Sequence, residues 1–101
     1  MCIRDSKNVF SWDARKALSN LKKHGVSFEE AATVFGDPEA LDWDDPEHSD
    51  SEIRSKRLGA SVTGRILIVV YTPRKVDHAK EIIRIISARQ ATRKERQAYA
   101  G

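Results

Sequence analysis

Basic side chains are concentrated at one junction between a predicted strand and a predicted helix, in residues 84–96. This stretch, RIISARQATRKER, holds five basic residues and a single acid. Cations at the start of a helix add to the positive end of the backbone dipole, so the junction is suited to holding a phosphate group. The other interpretation is that these side chains form a charged helix surface that is merely solvated.

The residue pattern predicts the elements that position these cations. Residues 82–86 include four isoleucines, which favour a buried strand. Thr92 and Glu95 have the spacing of a capping box, in which two side chains satisfy free backbone amides at a helix start. We therefore predict a strand that ends near Arg89 and runs directly into a short C-terminal helix.

Length and composition restrict the class of protein. A chain of 101 residues, 40% apolar and 33% charged, fits one globular domain with a highly charged surface. No apolar run approaches the roughly 18 residues that a membrane span needs, and no signal peptide is visible. We therefore predict a cytoplasmic protein without a membrane segment.

The first six residues, MCIRDS, are typical of a translated sequencing adapter and share no periodicity with the residues after them. We predict that residues 1–6 are disordered and of artefactual origin, and that residues 7–101 form the single domain. The natural start codon would then be missing. Cys2 is the only cysteine, so the chain has neither an internal disulfide nor a cysteine-based zinc site.

Charge is distributed unevenly along the chain. Residues 1–50 hold 6 Lys/Arg and 11 Asp/Glu, whereas residues 51–101 hold 12 and 4. Seven of the acids lie between residues 37 and 50, where there is no Lys or Arg. Such asymmetry predicts that the second half forms a face for a polyanion.

Two helices are predicted before most of the strands. Asp13 can cap the first helix, and Gly25 favours the left-handed geometry that ends it. Ser27 and Glu30 form a second capping box, and the second helix stops at residues 36–38. The first helix has apolar residues at helical spacing that we expect to face the core: Ala14, Ala17, Leu18 and Leu21.

Strands are predicted at residues 9–12, where Phe10 and Trp12 share a face, and more weakly at 40–43. A partly exposed strand at 52–58 precedes a central one at 66–71, and residues 73–80 form a polar loop. The predicted fold is α+β: an antiparallel sheet of about four strands, two N-terminal helices packed on one face, and a short C-terminal helix.

Other catalytic motifs are absent from the sequence. It has no glycine-rich phosphate loop, no HExxH and no serine elbow, and its three histidines are not spaced as metal ligands. We therefore predict no metal site and no cofactor. His24 is the most interesting titrating group, because it ends a helix where the dipole favours its cationic form. Alternatively, His24 only caps that helix.

Six stretches together resemble the BrnT family, small ribonuclease toxins of bacterial type II toxin–antitoxin pairs with a fold similar to RelE toxins. They cover most of residues 9–99 in the family's order: FSWD at 10–13, NLKKHGVSFEEA at 20–31, VFGDP at 34–38, HSDSEIR at 48–54, RILIVVYT at 65–72 and RIISARQATRKERQAY at 84–99. The chain departs at Ile53, where the family usually has an acid, and at residues 55–57, which are usually apolar or neutral.

The resemblance implies metal-independent cleavage of cellular RNA, in which a ribose 2′-hydroxyl attacks the adjacent phosphate. Such a reaction needs cations around the phosphoryl oxygens and groups that move protons. Arg84 and Arg89 are the first candidates for the phosphate clamp and Arg54 is the third, because guanidinium groups match phosphate bidentately. His24 or Glu52 could move the protons. Further RNA contacts are expected from the remaining basic residues nearby: Lys23, Arg93, Lys94 and Arg96.

A toxin of this type implies an antitoxin, usually a small ribbon-helix-helix protein. The expected complex holds two copies of each protein and binds promoter DNA through the antitoxin. The competing interpretation is a non-catalytic basic module that binds RNA or a protein, since charge asymmetry alone fits both. The sequence predicts neither the cleavage preference nor a dependence on ribosomes.

Overall fold

The computed structural model of the chain describes residues 2–4, 9–45, 53–75 and 81–100. Their elements, in chain order, are β1 Cys2–Arg4, β2 Val9–Ser11, α1 Ala14–His24, α2 Phe28–Thr33, a 3₁₀ turn Val34–Gly36, β3 Leu41–Asp44, β4 Ser55–Ala60, β5 Ile66–Lys75, β6 Glu81–Gln90 and α3 Arg93–Ala100. Glu52, a predicted proton-transfer group, lies outside these residues.

The described strands form one mixed sheet of six strands in the order β1-β2-β6-β5-β4-β3. The α+β class is confirmed, but the prediction of about four antiparallel strands is wrong. β2 runs parallel to β6, with Phe10 opposite Ile83, and the other pairs are antiparallel. A parallel pair needs a long crossover connection, and here the connection is the whole chain segment from the end of β2 to the start of β6.

The first strand corrects another prediction. Cys2–Arg4 pairs antiparallel with Val9–Ser11, so these three residues are ordered in backbone register rather than disordered. Backbone pairing satisfies the edge of β2 whatever the side chains are. The proposed origin of residues 1–6 from an adapter remains a prediction.

Helix α1 begins and ends where its capping residues predict, but it buries a different side. The Asp13 carboxylate accepts hydrogen bonds from the amides of Arg15 and Lys16, and Gly25 ends the helix at φ 69°. Leu18 and Leu21, expected in the core, are 56% and 47% exposed. Ala14 is exposed as well, whereas Ala17 packs against the core. The predicted inward stripe is therefore confirmed at Ala17 and wrong at the other three positions, because a polar group anchors the helix instead.

That polar group is Asn20, which is 7% exposed and lies against the free edge of β6. Its amide nitrogen donates to the carbonyl oxygens of Ala88 at 2.8 Å and Val26 at 3.0 Å. Its amide oxygen accepts from the Ala88 N–H at 3.1 Å. Beyond the end of β2, one side chain thus completes the pairing that a neighbouring strand would provide, and it holds α1 in place.

Helix α2 forms only half of its predicted capping box. The Ser27 hydroxyl accepts from the Glu30 amide at 3.0 Å. The Glu30 carboxylate turns instead to the β4–β5 hairpin, where it accepts from the Ser61 and Thr63 hydroxyls, each at 2.7 Å, and from Arg65. The carboxylate therefore ties the helical layer to the sheet, a role that spacing alone does not predict.

The two faces of the sheet are covered differently. Helices α1 and α2 cover one face, where the main core includes Phe10 and Trp12, as predicted. A smaller cluster on the opposite face includes Leu58 and Ile68, with Tyr99 of α3 packed against it. We call this second face the open face, because α3 covers only one end of it. Lys56, Val70 and Ser87 lie on the open face and pair directly across three neighbouring strands.

Strand β5 is central, as predicted, but it extends to Lys75 and so includes the first three residues of the expected polar loop. Pro73 has no N–H to donate, yet it pairs in register with Ile83. β4 pairs with β5 only as far as Tyr71. Pro73 is therefore tolerated because β5 has a single neighbour at that position.

Candidate phosphate-binding site on the open face

An irregularity in β6 brings the two first-choice arginines to one side of the sheet. Residues five apart on a regular strand point to opposite faces. The register shift after Val70 leaves one extra residue in β6, so that Arg84 pairs with Thr72 and Arg89 with Ile68. Since Thr72 and Ile68 lie four apart on β5, both arginines belong to the open face, about 13 Å apart along the strand.

A cavity of about 230 Å³ opens on this face. Three basic side chains line it, and they come from three elements: His24 ends α1, Lys56 lies in β4 and Arg89 lies near the end of β6. The other lining residues are Ile68, Val70, Ser87 and Ala88. Two predicted site residues, His24 and Arg89, therefore meet at one cavity, with cations on opposite sides of an apolar floor.

Arg89 is held by a fork of hydrogen bonds from α3. Its two terminal nitrogens donate to the two carboxylate oxygens of Glu95 at 2.8 and 2.9 Å, and one of them also donates to the Gln90 carbonyl oxygen at 3.2 Å. The guanidinium lowers the pKa of Glu95 to about 2, and the carboxylate in turn raises the pKa of Arg89. Of the five N–H groups in arginine, two are left for a ligand.

The predicted capping box of α3 is what places Glu95 there. The Glu95 carboxylate accepts from the Thr92 N–H at 2.8 Å, and the Glu95 N–H donates to the Thr92 hydroxyl at 3.2 Å. The same carboxylate thus caps the start of α3 and orients the Arg89 guanidinium. The predicted capping box of Thr92 and Glu95 is confirmed, whereas the bond from Arg89 to its carboxylate was not predicted.

Lys56 faces an acid as well as the cavity. Its ammonium nitrogen lies 3.9 Å from a carboxylate oxygen of Asp45, which is 8% exposed. At 3.9 Å the two atoms are too far apart for a hydrogen bond, and the Lys56 side chain keeps 31% of its surface exposed. The ammonium therefore keeps the freedom to turn toward an anion in the cavity.

The other predicted residues that the structure describes lie outside the cavity lining. Arg84 is half-buried on the open face, beyond the edge of the cavity. Arg54 precedes β4, and its carbonyl accepts from the Asp45 N–H at 2.8 Å. The four predicted RNA contacts are exposed on α1 and α3, and one of them, Arg96, also donates to the Ala91 carbonyl: Lys23, Arg93, Lys94 and Arg96.

Carboxylates of the acidic stretch at residues 37–50 accept hydrogen bonds from other parts of the chain. Asp37 accepts from the Ala60 N–H at 2.8 Å and from the Tyr99 hydroxyl at 2.6 Å. Asp42 accepts from Arg57 and from the Tyr71 hydroxyl, both at 2.8 Å. Within residues 2–4, 9–45, 53–75 and 81–100, no group of three or more His, Cys, Asp or Glu could hold a metal ion.

Sequence reasoning missed three residues of this region. Lys56 belongs to the stretch where the chain departs from the family pattern, and that departure was the available signal. Ser87 lies two residues before Arg89 on the same face, and it shares that face with Arg84 only because of the bulge. Asn20 lies in a matched motif, but a polar residue on a helix gives no sign that it will complete a sheet edge.

Comparisons with known proteins give a family match and a fold match. The model of the family described as "Ribonuclease toxin, BrnT, of type II toxin-antitoxin system" matches residues 12–95. The 1.1 Å crystal structure of the Brucella abortus ribonuclease toxin BrnT is similar in fold, with a TM-score of 0.61 and 20% identity. That match covers 87% of this chain and 100% of the Brucella chain. No curated protein matches the sequence. None of the described helices has the length and apolar character to span a membrane.

Proposed function

Since the chain belongs to the BrnT family of ribonuclease toxins of type II toxin–antitoxin systems, we propose that it is a metal-independent endoribonuclease that cleaves cellular RNA in the cytoplasm and thereby inhibits translation. The observation that carries the proposal is the cavity where His24, Lys56 and Arg89 meet. Cations from separate elements surround a space that a phosphate could occupy, and a group able to move protons lies beside them.

In the proposed reaction, the ribose 2′-hydroxyl attacks the adjacent phosphorus and the bond to the 5′-oxygen breaks. The products are a 2′,3′-cyclic phosphate and a free 5′-hydroxyl. A base takes the proton of the 2′-hydroxyl and an acid returns one to the 5′-oxygen. Arg89 and Lys56 stabilise the charge that builds on the phosphoryl oxygens, Arg84 holds a neighbouring phosphate, and His24 moves a proton.

Incubating the purified protein with a defined single-stranded RNA in excess chelator tests this proposal. Cleavage that leaves cyclic phosphate ends is expected. RNA that binds but remains intact, with or without added divalent metal, would favour the non-catalytic binding module. The bidentate pairing of Arg89 with Glu95 favours the binding module, because it occupies N–H groups of the guanidinium that a catalytic cation would offer to the phosphate.

His24→Gln separates the two interpretations of this histidine. If His24 moves a proton, the variant should cleave RNA at least 100-fold more slowly, with a flatter rate profile around neutral pH. If His24 only caps α1, the variant should keep its rate and lose about 1 kcal/mol of stability. Cleavage rate and thermal midpoint are measured on the same preparation. Lys22→Gln, on the exposed side of the same helical turn, is the matched control.

A type II toxin has a cognate antitoxin. We propose a ribbon-helix-helix antitoxin that covers part of the basic surface and forms a complex of two toxins and two antitoxins. Acidic antitoxin residues would complement this surface and speed association. The antitoxin dimer would bind promoter DNA, with the acidic stretch at residues 37–50 turned away from the phosphates. The basic surface is made of Arg54, Arg84, Arg89, Arg93 and Arg96.

Co-expression with the adjacent gene tests this partner. We expect the two proteins to purify together, and a mass measured in solution that equals two copies of each. The complex should not cleave RNA, since the antitoxin covers the cations that the reaction needs. A toxin that remains monomeric beside its neighbour would contradict the proposed assembly.

A further inference from the structure

Trp43 lies in the outermost strand, β3, with 42% of its surface exposed. The other tryptophan, Trp12, is 3% exposed and belongs to the main core. Within the described residues, no aromatic ring packs against the Trp43 indole. An exposed indole is costly to leave in water, so its position relative to the cavity is informative.

Strand pairing places Trp43 on the open face. Trp43 pairs directly with Lys56, Lys56 with Val70, and Val70 with Ser87. Directly paired residues share a face, so these four side chains form one row across four strands. The last three line the cavity. With strands about 4.8 Å apart, Trp43 lies about 10 Å from the cavity floor at Val70.

We propose that Trp43 is a stacking platform for a base of single-stranded RNA whose phosphate lies in the cavity. This inference rests on the proposed function, and it adds a specificity-determining contact to the same site. The row places an aromatic ring beside an ammonium and a cavity lined by basic side chains, and these groups supply the two interactions that hold single strands. The ring stacks a base and the cation holds the backbone.

The charge beside Trp43 on the open face suits the RNA backbone. Trp43 lies within the acidic stretch, but Asp42 and Asp44 belong to the opposite face, where they pair with Arg57 and Ser55. Lys56 is the nearest neighbour of Trp43 on the face, and Arg89 and His24 lie beyond it. Leu41 lies two residues before Trp43 on the same face and is 44% exposed, so it can extend the apolar contact beneath a base. A base has an apolar surface joined to a charged backbone, and this row has the same order of properties.

Binding is measured with a ten-nucleotide single-stranded RNA methylated at every ribose 2′-oxygen, so that attack is blocked. Titration should quench tryptophan fluorescence, and Trp43→Ala should remove most of the change, because Trp12 is buried. The same variant should bind the RNA about 5- to 100-fold more weakly. Trp43→Phe, which keeps an aromatic face, should restore most of the affinity. Val62→Ala, at a 78% exposed apolar residue in the hairpin, is the matched control.

Different failures have different meanings. If Trp43→Ala binds and cleaves RNA as the parent does, the stacking proposal is overturned and the ribonuclease stands. If Trp43→Ala keeps its RNA affinity but no longer purifies with the adjacent gene product, the row belongs to a protein interface and the proposal is again overturned. If the parent cleaves no RNA but Trp43→Ala still weakens binding, the proposed function fails while the stacking contact holds. Circular dichroism checks that each variant is folded.

Discussion

Replacing Arg89 by alanine is expected to slow RNA cleavage by about 100-fold or more. The guanidinium is the cation that the structure fixes most firmly at the cavity, through two hydrogen bonds to Glu95. A donor that is already oriented stabilises transition-state charge without having to reorganise, and the loss of one such donor typically has an effect of this size. Single-turnover cleavage of a defined RNA gives the comparison.

Three variants make this test specific. Arg89→Lys keeps the charge but cannot form the fork with Glu95, so it should recover only a small part of the rate. Arg84→Ala should have a smaller effect than Arg89→Ala, because Arg84 lies outside the cavity lining. Arg15→Ala removes an exposed cation from α1 and serves as the control for net charge. A folded protein without Arg84 and Arg89 that cleaves at the full rate would disprove the phosphate clamp.

Glu30→Gln is expected to lower the free energy of unfolding by about 2–3 kcal/mol at pH 7. Breaking a fully buried pair costs more, but the Arg65 side chain is 32% exposed. Glutamine cannot accept from Arg65, Ser61 and Thr63 together, so the β4–β5 hairpin loses its attachment to α2. Urea unfolding at pH 7, with Glu29→Gln as an exposed neighbouring control, measures the loss.

The same carboxylate predicts how stability depends on pH. Hydrogen bonds from Arg65, followed by those from Ser61 and Thr63, lower the pKa of Glu30 from 4.5 to about 2. A lowered pKa stabilises the folded state above the unfolded value, and that stabilisation is lost as the pH falls from about 4.5 toward 2. The stability curves of the parent and Glu30→Gln should therefore converge across this range. Curves that remain parallel would show that Glu30 is not the titrating group.

Local chemistry made the helix ends predictable. Asp13, Gly25 and the pair Thr92–Glu95 act through bonds that span at most four residues, and all of them lie where the sequence placed them. The buried side of α1 was not predictable in this way. Helical spacing selected the leucines, whereas the contact that orients the helix joins Asn20 to Ala88, 68 residues away.

The candidate site shows the same division. Residue type selected Arg89 and His24, and the structure brings both to one cavity. The shared face of Arg84 and Arg89 depends on one extra residue in β6, because a regular strand would separate them. Lys56 could not be assigned to the site, since its place depends on which strands are neighbours. The parallel pairing of β2 with β6 was unpredictable for the same reason.

The parallel pairing of β2 with β6 also determines when the molecule can fold during its synthesis. Val9 pairs with Ile82, 73 positions later, and β6 enters the sheet between β2 and β5. A chain still lacking β6 cannot join the β1–β2 pair to the other strands, and one side of β5 is unpaired, so the sheet cannot close until residues 81–90 have left the ribosome. Pairing over such a distance is slow. An unfinished chain therefore lacks the assembled cavity. The delay before the sheet closes gives a partner protein time to be present before the candidate site forms.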